Sequence, residues 1–228
     1  MAPTQQQQTL ERFVETGKKV IGAGLNYKSF AAKEKLPHPV APVVFLKATS
    51  SYLKAGRPLQ VPAGDQVNAE VELGVVIGRT CSRVSEQDAP DFVGGYCLAL
   101  DMTNITLLNK LRASSGPWAL AKAFDSACPV SDFIPKDKLP TPQMTRIWMK
   151  VNGELKQDES TSDMIFPIAH LVSYISHYMT LEPGDVILTG TPAGPCPLRP
   201  GDAVECGLDS VHCAMQLNFN VEAAPSAP

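Results

Sequence analysis

The stretch from Asn68 to Gly78 reads N-A-E-V-E-L-G-V-V-I-G. Successive side chains of a β-strand point to opposite faces, so Glu70 and Glu72 share one face. The run from Val75 to Ile77 is apolar without alternation, which predicts a strand that enters the interior with both faces covered. Two neighbouring carboxylates close to a core are costly unless a cation lies between them. The stretch therefore predicts a buried strand whose carboxylates face a cation.

The composition is that of an ordinary globular protein. The 228 residues are 44% hydrophobic and 19% charged, with a formal net charge of -3 and a pI near 5.8. This is enough chain for one domain with a sizeable core. There is no Lys/Arg run or basic stripe and no apolar segment long enough to cross a bilayer, so neither nucleic acid nor a membrane is an expected partner.

The two ends differ from the rest of the chain. A Gln run near the start and the closing E-A-A-P-S-A-P predict a frayed segment over residues 1–15, a single catalytic domain over 16–222 and a disordered tail over 223–228. The N-terminus has neither the apolar centre of a secretory signal nor the Arg-rich character of a transit peptide, so we expect a cytoplasmic protein, with mitochondria as the alternative. The six cysteines form no C-x-x-C pair and are expected to be reduced thiols.

Strand patterns dominate the middle of the chain. The run from Gly94 to Asp101 reads as a strand that ends in an acid, and Asn152–Gly153 between two short polar-apolar runs predicts a hairpin turn. An amphipathic helix is predicted over Met164–Met179. Two P-G-D turns, Pro183–Asp185 and Pro200–Asp202, each introduce another strand. Regular β-α alternation is missing, so we expect a strand-dominated α+β fold with few short helices.

Three carboxylates are candidates for a metal site: Glu70, Glu72 and Asp101. A set without His or Cys is typical of a hard cation, Mg²⁺ first, with Mn²⁺ or Ca²⁺ as alternatives. Mg²⁺ prefers six ligands, so about three positions would stay open for water or a chelating substrate. Gly74 and Gly78 lie on the same strand face and suggest room for a ligand. The alternative is a solvated or salt-bridged strand face.

Several ordered motifs show a resemblance to a known family. Over about Val20–Val221 the chain resembles the fumarylacetoacetate hydrolase (FAH) family, in particular its small members of the acylpyruvase and oxaloacetate decarboxylase group. The markers are G-L-N-Y (24–27), F-L-K (45–47), E-V-E-L-G-V-V-I-G (70–78), G-G-Y-C-L-A-L-D-M-T (94–103), P-W-A-L-A-K-A-F-D (117–125), K-V-N-G-E (150–154) and L-T-G-T-P-A-G (188–194).

The resemblance implies a fold of stacked mixed β-sheets rolled around the site, in a homodimer, with the three carboxylates on Mg²⁺ or Mn²⁺. The implied substrates are 2-oxo acids and their enols, such as oxaloacetate or acylpyruvates, and the implied reactions are decarboxylation, enol-keto isomerisation and C-C bond hydrolysis. In each of these, the metal stabilises negative charge on the substrate.

The resemblance also assigns roles outside the metal ligands. Lys122 would supply a second positive charge beside the metal, and Thr191 with the Gly190 backbone would bind the substrate carboxylate. Lys47 would bind substrate or pair with a structural acid. Without the resemblance, Lys122 reads as a snorkelling lysine and Gly-Thr-Pro as a turn.

The chain departs from the family on the helix after N-Y. Acylpyruvate-hydrolysing members carry a His and, three residues later, a Glu, where this chain has Phe30 and Lys33. An aromatic ring cannot accept a proton. Glu34 and His38 are the nearby stand-ins.

Three further polar positions of that group are apolar here, namely Leu25, Ile105 and Leu108. Losing an Arg removes a bidentate contact to a carboxylate and makes the pocket drier. Two hypotheses follow. The first is a Mg²⁺-dependent enzyme whose metal and Lys122 suffice for isomerisation or decarboxylation, with hydrolysis least supported. The second is a pseudoenzyme that retains the fold and the metal site.

Overall fold

The computed structural model of the protein describes residues 5–225. The helices in this range are α1 Gln5–Leu10, α2 Phe13–Thr16, α3 Lys28–Lys33, α4 Ile105–Ala113, α5 Ala119–Lys122 and α6 Ile168–Tyr178. The strands are β1 Val20–Gly24, β2 Val43–Lys47, β3 Tyr52–Lys54, β4 Leu59–Val61, β5 Val67–Ala69, β6 Val71–Ile77, β7 Val93–Leu100, β8 Thr103–Asn104, β9 Cys128–Val130, β10 Ile134–Pro135, β11 Arg146–Val151, β12 Glu154–Ser160, β13 Val186–Leu188, β14 Cys196–Leu198, β15 Ala203–Asp209 and β16 Ala214–Ala223.

The strands form three sheets. The largest has the order β2-β1-β13-β6-β7-β9-β3, with β10 paired to β7. A second sheet has the order β12-β11-β15-β16-β4 and a third the order β14-β5-β8. The two larger sheets are mixed, because β1 runs parallel to β13, β3 to β9 and β16 to β4, whereas the other strand pairs described are antiparallel.

The largest sheet is strongly rolled. β2 and β3 lie at its opposite ends, yet only residues 48–51 separate them in the chain. Six steps between strands would set them about 29 Å apart in a flat sheet. The connection has five Cα-Cα steps and spans at most about 19 Å, and part of it is a 3₁₀ turn. The sheet therefore curls until its ends approach, which confirms the predicted strand-dominated α+β fold with rolled, mixed sheets.

The stretch that opened the sequence analysis is two strands. Every residue of β6 is buried, so the prediction of a strand covered on both faces is confirmed. β5 pairs with β8 and β14 in the smallest sheet, whereas β6 pairs with β7 and β13 in the largest. Glu70 lies at the break between them. The chain changes sheet at this residue, and its side chain lines a cavity.

The two glycines on the glutamate face have a different purpose from the one predicted. A Cβ on Gly74 would lie 2.5 Å from Cys97 Sγ, and one on Gly78 would lie 2.6 Å from Gly94 Cα. The missing side chains therefore allow β6 and β7 to pack closely, and the prediction that they leave room for a ligand is wrong.

Part of the N-terminal segment packs against the largest sheet. Residues 1–4 lie outside the described range, but α1 and α2 occupy most of residues 5–16, and Leu10 and Phe13 are buried against the largest sheet. The carboxylate of Asp185 accepts hydrogen bonds from the Lys18 and Lys19 amides at 3.0 and 3.1 Å. The apolar anchors and these bonds attach this part of the segment to the sheet, and the bounds of the frayed segment stay a prediction.

The C-terminal strand extends into the tail predicted over residues 223–228. β16 includes Ala223, and the Ala224 amide donates to Val61 O at 2.9 Å. The rest of the predicted tail, residues 226–228, lies outside the described range. The boundaries of a single domain over 16–222 stay a prediction.

Two local predictions are confirmed. Asn152 and Gly153 have φ values of 53° and 76° and join β11 to β12 in a hairpin. The helix predicted around residues 164–179 is α6, which begins after Pro167. Within residues 5–225, we find no helix with both the length and the apolar character needed to cross a bilayer.

Candidate active site

The register of β6 and β7 brings the three carboxylates together. Val71 pairs with Leu100, so the next position along the ladder sets Glu70 opposite Asp101, and the Asp101 amide donates to Glu70 O at 2.8 Å. Glu72 lies two residues further on, on the same face. One oxygen from each of the three carboxylates lies within 4.8 Å of the other two. A pairing that the sequence alone could not reveal thus assembles the predicted ligand set.

Glu72 is almost as enclosed as Asp101. Its Oε2 accepts the Gly190 amide at 2.6 Å, and its residue is 2% exposed. Burial raises its pKa well above the usual value, and the charges of Asp101 and Glu70 raise it further. A carboxyl group in these surroundings gains from a cation next to it.

Asp101 is held between two lysines. Lys47 Nζ donates to its Oδ1 at 2.6 Å, and Lys122 Nζ donates to its Oδ2. Burial raises the pKa of Asp101, but the charges of Lys122 and Lys47 outweigh it and hold the pKa below the usual value. Asp101 therefore stays ionised in the interior.

Lys122 lies where the resemblance places it, against the carboxylates. Its Nζ also donates to Thr103 Oγ1 at 2.6 Å and to Glu70 Oε2 at 3.3 Å, and it lies 4.4 Å from the centre of the Phe45 ring. Burial lowers the pKa of Lys122, but Asp101 and Glu70 raise it by more, so the net shift is upward. The buried ammonium group keeps its charge and has one orientation, so the snorkelling alternative is wrong.

Burial also raises the pKa of Glu70, and the nearby charge of Lys122 opposes part of that rise. Its side chain is 14% exposed, against 1% for Asp101. Glu70 is thus the member of the set that is turned toward solvent, as its position between two strands requires.

Lys47 pairs with an acid that is itself a candidate metal ligand, Asp101. It is fully buried, its Nζ donates to Asp101 and to Met102 O at 3.2 Å, and it is not part of the cavity wall. The prediction that it contacts substrate is corrected, because the rolled sheet places it behind Asp101. Phe45, two residues earlier on the same face of β2, lines the cavity. Its ring occupies the space where a Cβ on Gly22 would lie, 2.1 Å from Phe45 Cζ.

The Gly190 backbone positions Glu72, one of the candidate metal ligands. Its φ is +100°, a conformation that favours glycine, and it turns the amide toward Glu72. This amide has a partner inside the protein, and its role as a donor to the substrate carboxylate stays a prediction. Thr191 does line the cavity. Its hydroxyl donates to Val71 O at 2.9 Å.

Gln157 on β12 is a site residue that the sequence analysis missed. Its Oε1 accepts the Val71 amide at 2.8 Å, and its Nε2 donates to Thr191 Oγ1 and Pro192 O, both at 2.8 Å. It thereby satisfies the backbone at the break after Glu70. A polar residue at an inward position of a strand is the signal that could have identified it.

The carboxylates open into a cavity of about 270 Å³. Phe30 and the apolar replacements Leu25, Ile105 and Leu108 all line it, so the substitutions seen in the sequence do change the wall of this cavity. Glu34 also lines it. Lys33 is exposed and is not part of the wall.

One helical face of the wall was also missed. The cavity is lined by Ile105, Leu108, Asn109 and Arg112, which follow the i, i+3, i+4, i+7 spacing of one face of α4. Trp118 lies next to them, with its ring 4.9 Å from Arg112 Cζ. The spacing was visible in the sequence, but only the fold shows that this face turns to the site.

The donor set fits a hard divalent cation. Neighbouring ligands of an octahedral Mg²⁺ are about 3 Å apart and opposite ones about 4.2 Å. The carboxylate oxygens, within 4.8 Å of one another, would need only a small inward movement to reach these spacings. Three acids against two lysines leave one carboxyl group without a cationic partner. Geometry and charge are therefore suitable for Mg²⁺ or Mn²⁺.

Comparisons with known proteins agree with this picture. The family model "Fumarylacetoacetate (FAA) hydrolase C-terminal" matches residues 19–218. Oxaloacetate tautomerase FAHD1, mitochondrial, from Bos taurus is 44% identical over 93% of this chain and 96% of its own length. Oxaloacetate decarboxylase, mitochondrial, from Dictyostelium discoideum is 43% identical over 92% of this chain and 97% of its own length.

A solved structure shares the fold. Fumarylpyruvate hydrolase from Pseudomonas aeruginosa, in complex with Mn²⁺ and pyruvate, superposes with a TM-score of 0.84 at 29% identity, covering 91% of this chain and 90% of that one. The names of the two relatives place both in mitochondria. They fit the mitochondrial alternative for location and give the cytoplasmic expectation no support.

Proposed function

This chain is a member of the fumarylacetoacetate hydrolase family, and on that basis we propose that it is a Mg²⁺-dependent enzyme that interconverts the enol and keto forms of a 2-oxo acid. Oxaloacetate is the first substrate to test. The observation that carries the proposal is the convergence of Glu70, Glu72 and Asp101 with the Lys122 ammonium group in one cavity. The names of the relatives support this class of substrate.

The charges suit this reaction. Tautomerisation moves a proton from C3 of the substrate to its 2-oxo oxygen, and negative charge collects on that oxygen as the proton leaves C3. A divalent cation bound by the three carboxylates would supply Lewis-acid stabilisation of that charge. Lys122 adds a fixed positive charge at the same end of the cavity, because Asp101 and Glu70 keep it protonated and in place.

A proton acceptor is also needed. Phe30 cannot serve, and the acids at the floor of the cavity are the proposed ligands. Among the wall residues that the structure describes, Glu34 is the carboxylate that remains. We assign it the task of taking the C3 proton and returning it toward the 2-oxo oxygen. Thr191 stays in the proposal as a substrate contact, because it lines the same cavity.

Decarboxylation is the second candidate. It breaks the C3-C4 bond, releases CO₂ and leaves the electron pair on the same 2-oxo oxygen until a proton adds to C3. The first step therefore needs positive charge near that oxygen but no base. The Dictyostelium relative carries this name. Hydrolysis is the least supported reaction, because Phe30 and Lys33 stand where the resemblance expects a proton-transferring pair.

The test follows loss of the enol absorbance of oxaloacetate, and separately release of pyruvate, with the full chain in Mg²⁺ or Mn²⁺. We expect Glu72→Gln to lower both rates on the order of 100-fold or more. The matched control Glu222→Gln, an exposed strand residue, should leave both unchanged. If the wild type behaves like Glu72→Gln on oxaloacetate and on a panel of acylpyruvates, the enzyme is refuted and the pseudoenzyme stands.

Glu34→Gln separates the two candidate reactions. General-base catalysis contributes about 100-fold or more, so we expect tautomerisation to fall by that order while decarboxylation changes little. Equal loss of both rates would show that Glu34 does not act as the base. An unchanged tautomerisation rate would show the same.

The proposal extends to assembly and location. Leu46 and Tyr178 are exposed by 48% and 73% and lie on an apolar groove between β2 and α6, a surface that suits the proposed homodimer. Light scattering on the purified chain tests this assembly. Cell fractionation tests the mitochondrial location that the names of the relatives suggest.

A further inference from the structure

A cation at the outer end of the cavity has no function in the chemistry described so far. Arg112 lines the cavity, yet it takes part in none of the ion pairs found among residues 5–225. Its described contact is with the Trp118 ring. An arginine without a carboxylate partner at the wall of a ligand cavity is available to bind an anion.

The helix fixes where this cation lies. Thr103, two residues before α4, accepts a hydrogen bond from Lys122, so the N-terminal end of α4 is next to the carboxylates. Arg112 is seven residues after Ile105, which is about 10 Å along the helix axis. Long helical side chains lean toward the N-terminus, which favours a guanidinium group directed back along the cavity that Arg112 lines.

The wall between the two ends is apolar. Ile105 and Leu108 precede Arg112 on the same helical face, and Phe30 lies in the same wall. Apolar surface there favours a stretch of substrate without charge. Asn109, also in the wall, adds amide donors beside the arginine.

Trp118 prepares Arg112 for this contact. A guanidinium group that stacks on an aromatic ring uses its face and keeps its N-H edges directed outward. Those edges match a carboxylate in a two-bonded geometry. The ring therefore holds the cation in place without using its donors.

We propose that Arg112 is a specificity-determining residue which, with Asn109, binds a second carboxylate of the substrate, across an apolar spacer from the metal-binding end. The inference rests on the proposed function and refines it. The favoured substrates are 2-oxo acids with a distal carboxylate several carbons beyond the 2-oxo group. Oxaloacetate, whose second carboxylate follows one carbon later, is too short to use both ends.

The experiment measures calorimetric affinity in saturating Mg²⁺ for three probes: oxalate, 2-oxoadipate and 2-oxohexanoate. The last two have equal carbon chains and differ in whether the far end is charged. We expect the wild type to bind 2-oxoadipate about 10-fold more tightly than 2-oxohexanoate, and Arg112→Met to lose that preference while it binds oxalate unchanged. Arg112→Lys should retain part of the preference, since lysine keeps the positive charge but lacks the paired N-H donors of the guanidinium group.

Lys110→Met is the matched control. It removes one positive charge from the same helix at an exposed position outside the cavity wall, so the preference should persist. The inference is overturned if the wild type shows no preference, if Arg112→Met keeps it, or if Lys110→Met loses it equally. Failure of the proposed function looks different, because turnover would then be missing on every substrate while the binding preference could still be measured.

Discussion

Replacing Lys47 by Met tests whether this lysine is a support for Asp101 or a contact for substrate. Lys47 Nζ is fully buried and lies 2.6 Å from Asp101 Oδ1. Methionine keeps most of the length of the side chain and removes the charge and the donors. Removing one partner of a buried ion pair costs about 3–5 kcal/mol. Asp101 keeps its bond to Lys122, so we expect the free energy of unfolding to fall by the lower end of that range, about 3 kcal/mol.

The assay is thermal unfolding with and without Mg²⁺. For a chain of this length 1 kcal/mol corresponds to about 2–4 °C, so the melting temperature of the metal-free variant should fall by about 6–12 °C. Without the Lys47 ammonium group, no cation at that position competes with Mg²⁺ for Asp101. The variant should therefore bind Mg²⁺ more tightly and recover part of the lost melting temperature when Mg²⁺ is added. KM for 2-oxo acids should change little.

Two results would refute this reasoning. A metal-free melting temperature equal to that of the wild type would show that the pair does not support the fold. A Mg²⁺-dependent gain smaller than that of the wild type would show that Lys47 helps the metal to bind. The control is Lys54→Met on β3, the next strand along the chain, a lysine with 54% side-chain exposure, which should leave both quantities unchanged.

Three further predictions concern hydrolysis, folding and thiol chemistry. Phe30→His with Lys33→Glu restores a proton-transferring pair, so acylpyruvate hydrolysis should rise by on the order of 100-fold; an unchanged rate would show that the pair is not what limits it. Asp185→Ala removes the acceptor of the backbone amides of two lysines and of Glu182. We expect it to lower the free energy of unfolding in urea by about 3–5 kcal/mol. A loss below about 1 kcal/mol would contradict this account. Cys196 and Cys213 are the partly exposed thiols and should react with Ellman's reagent in the folded protein. The other four cysteines should react only once the protein unfolds. Reaction of all six in the folded protein would contradict the buried core.

Short-range patterns predicted much of the molecule. Asn152–Gly153 is a hairpin turn because these residues tolerate positive φ, and α6 follows its apolar periodicity. The candidate ligands could also be named, because a two-residue period puts Glu70 and Glu72 on one face and Asp101 ends an apolar run. All of these depend on residues close together in the chain.

Errors arose where distant segments meet. The space beside Gly74 was interpreted as room for a ligand, yet the Cys97 side chain of the neighbouring strand occupies it. Lys47 was assigned to substrate, yet it lies behind Asp101. In each case the partner is far away in sequence.

The sequence by itself therefore determined which side chains could form a cation site, since this depends on residue type and on the two-residue strand period, and its resemblance to the family pointed to the missing His/Glu pair. Only the tertiary structure decided that Glu70 faces Asp101, that the rolled sheet returns Lys47 to the centre, and that the face of α4 with Arg112 closes the cavity. The pairing of strands far apart in the chain and the closure of the sheet come from packing between distant segments, which the pattern within one segment does not show.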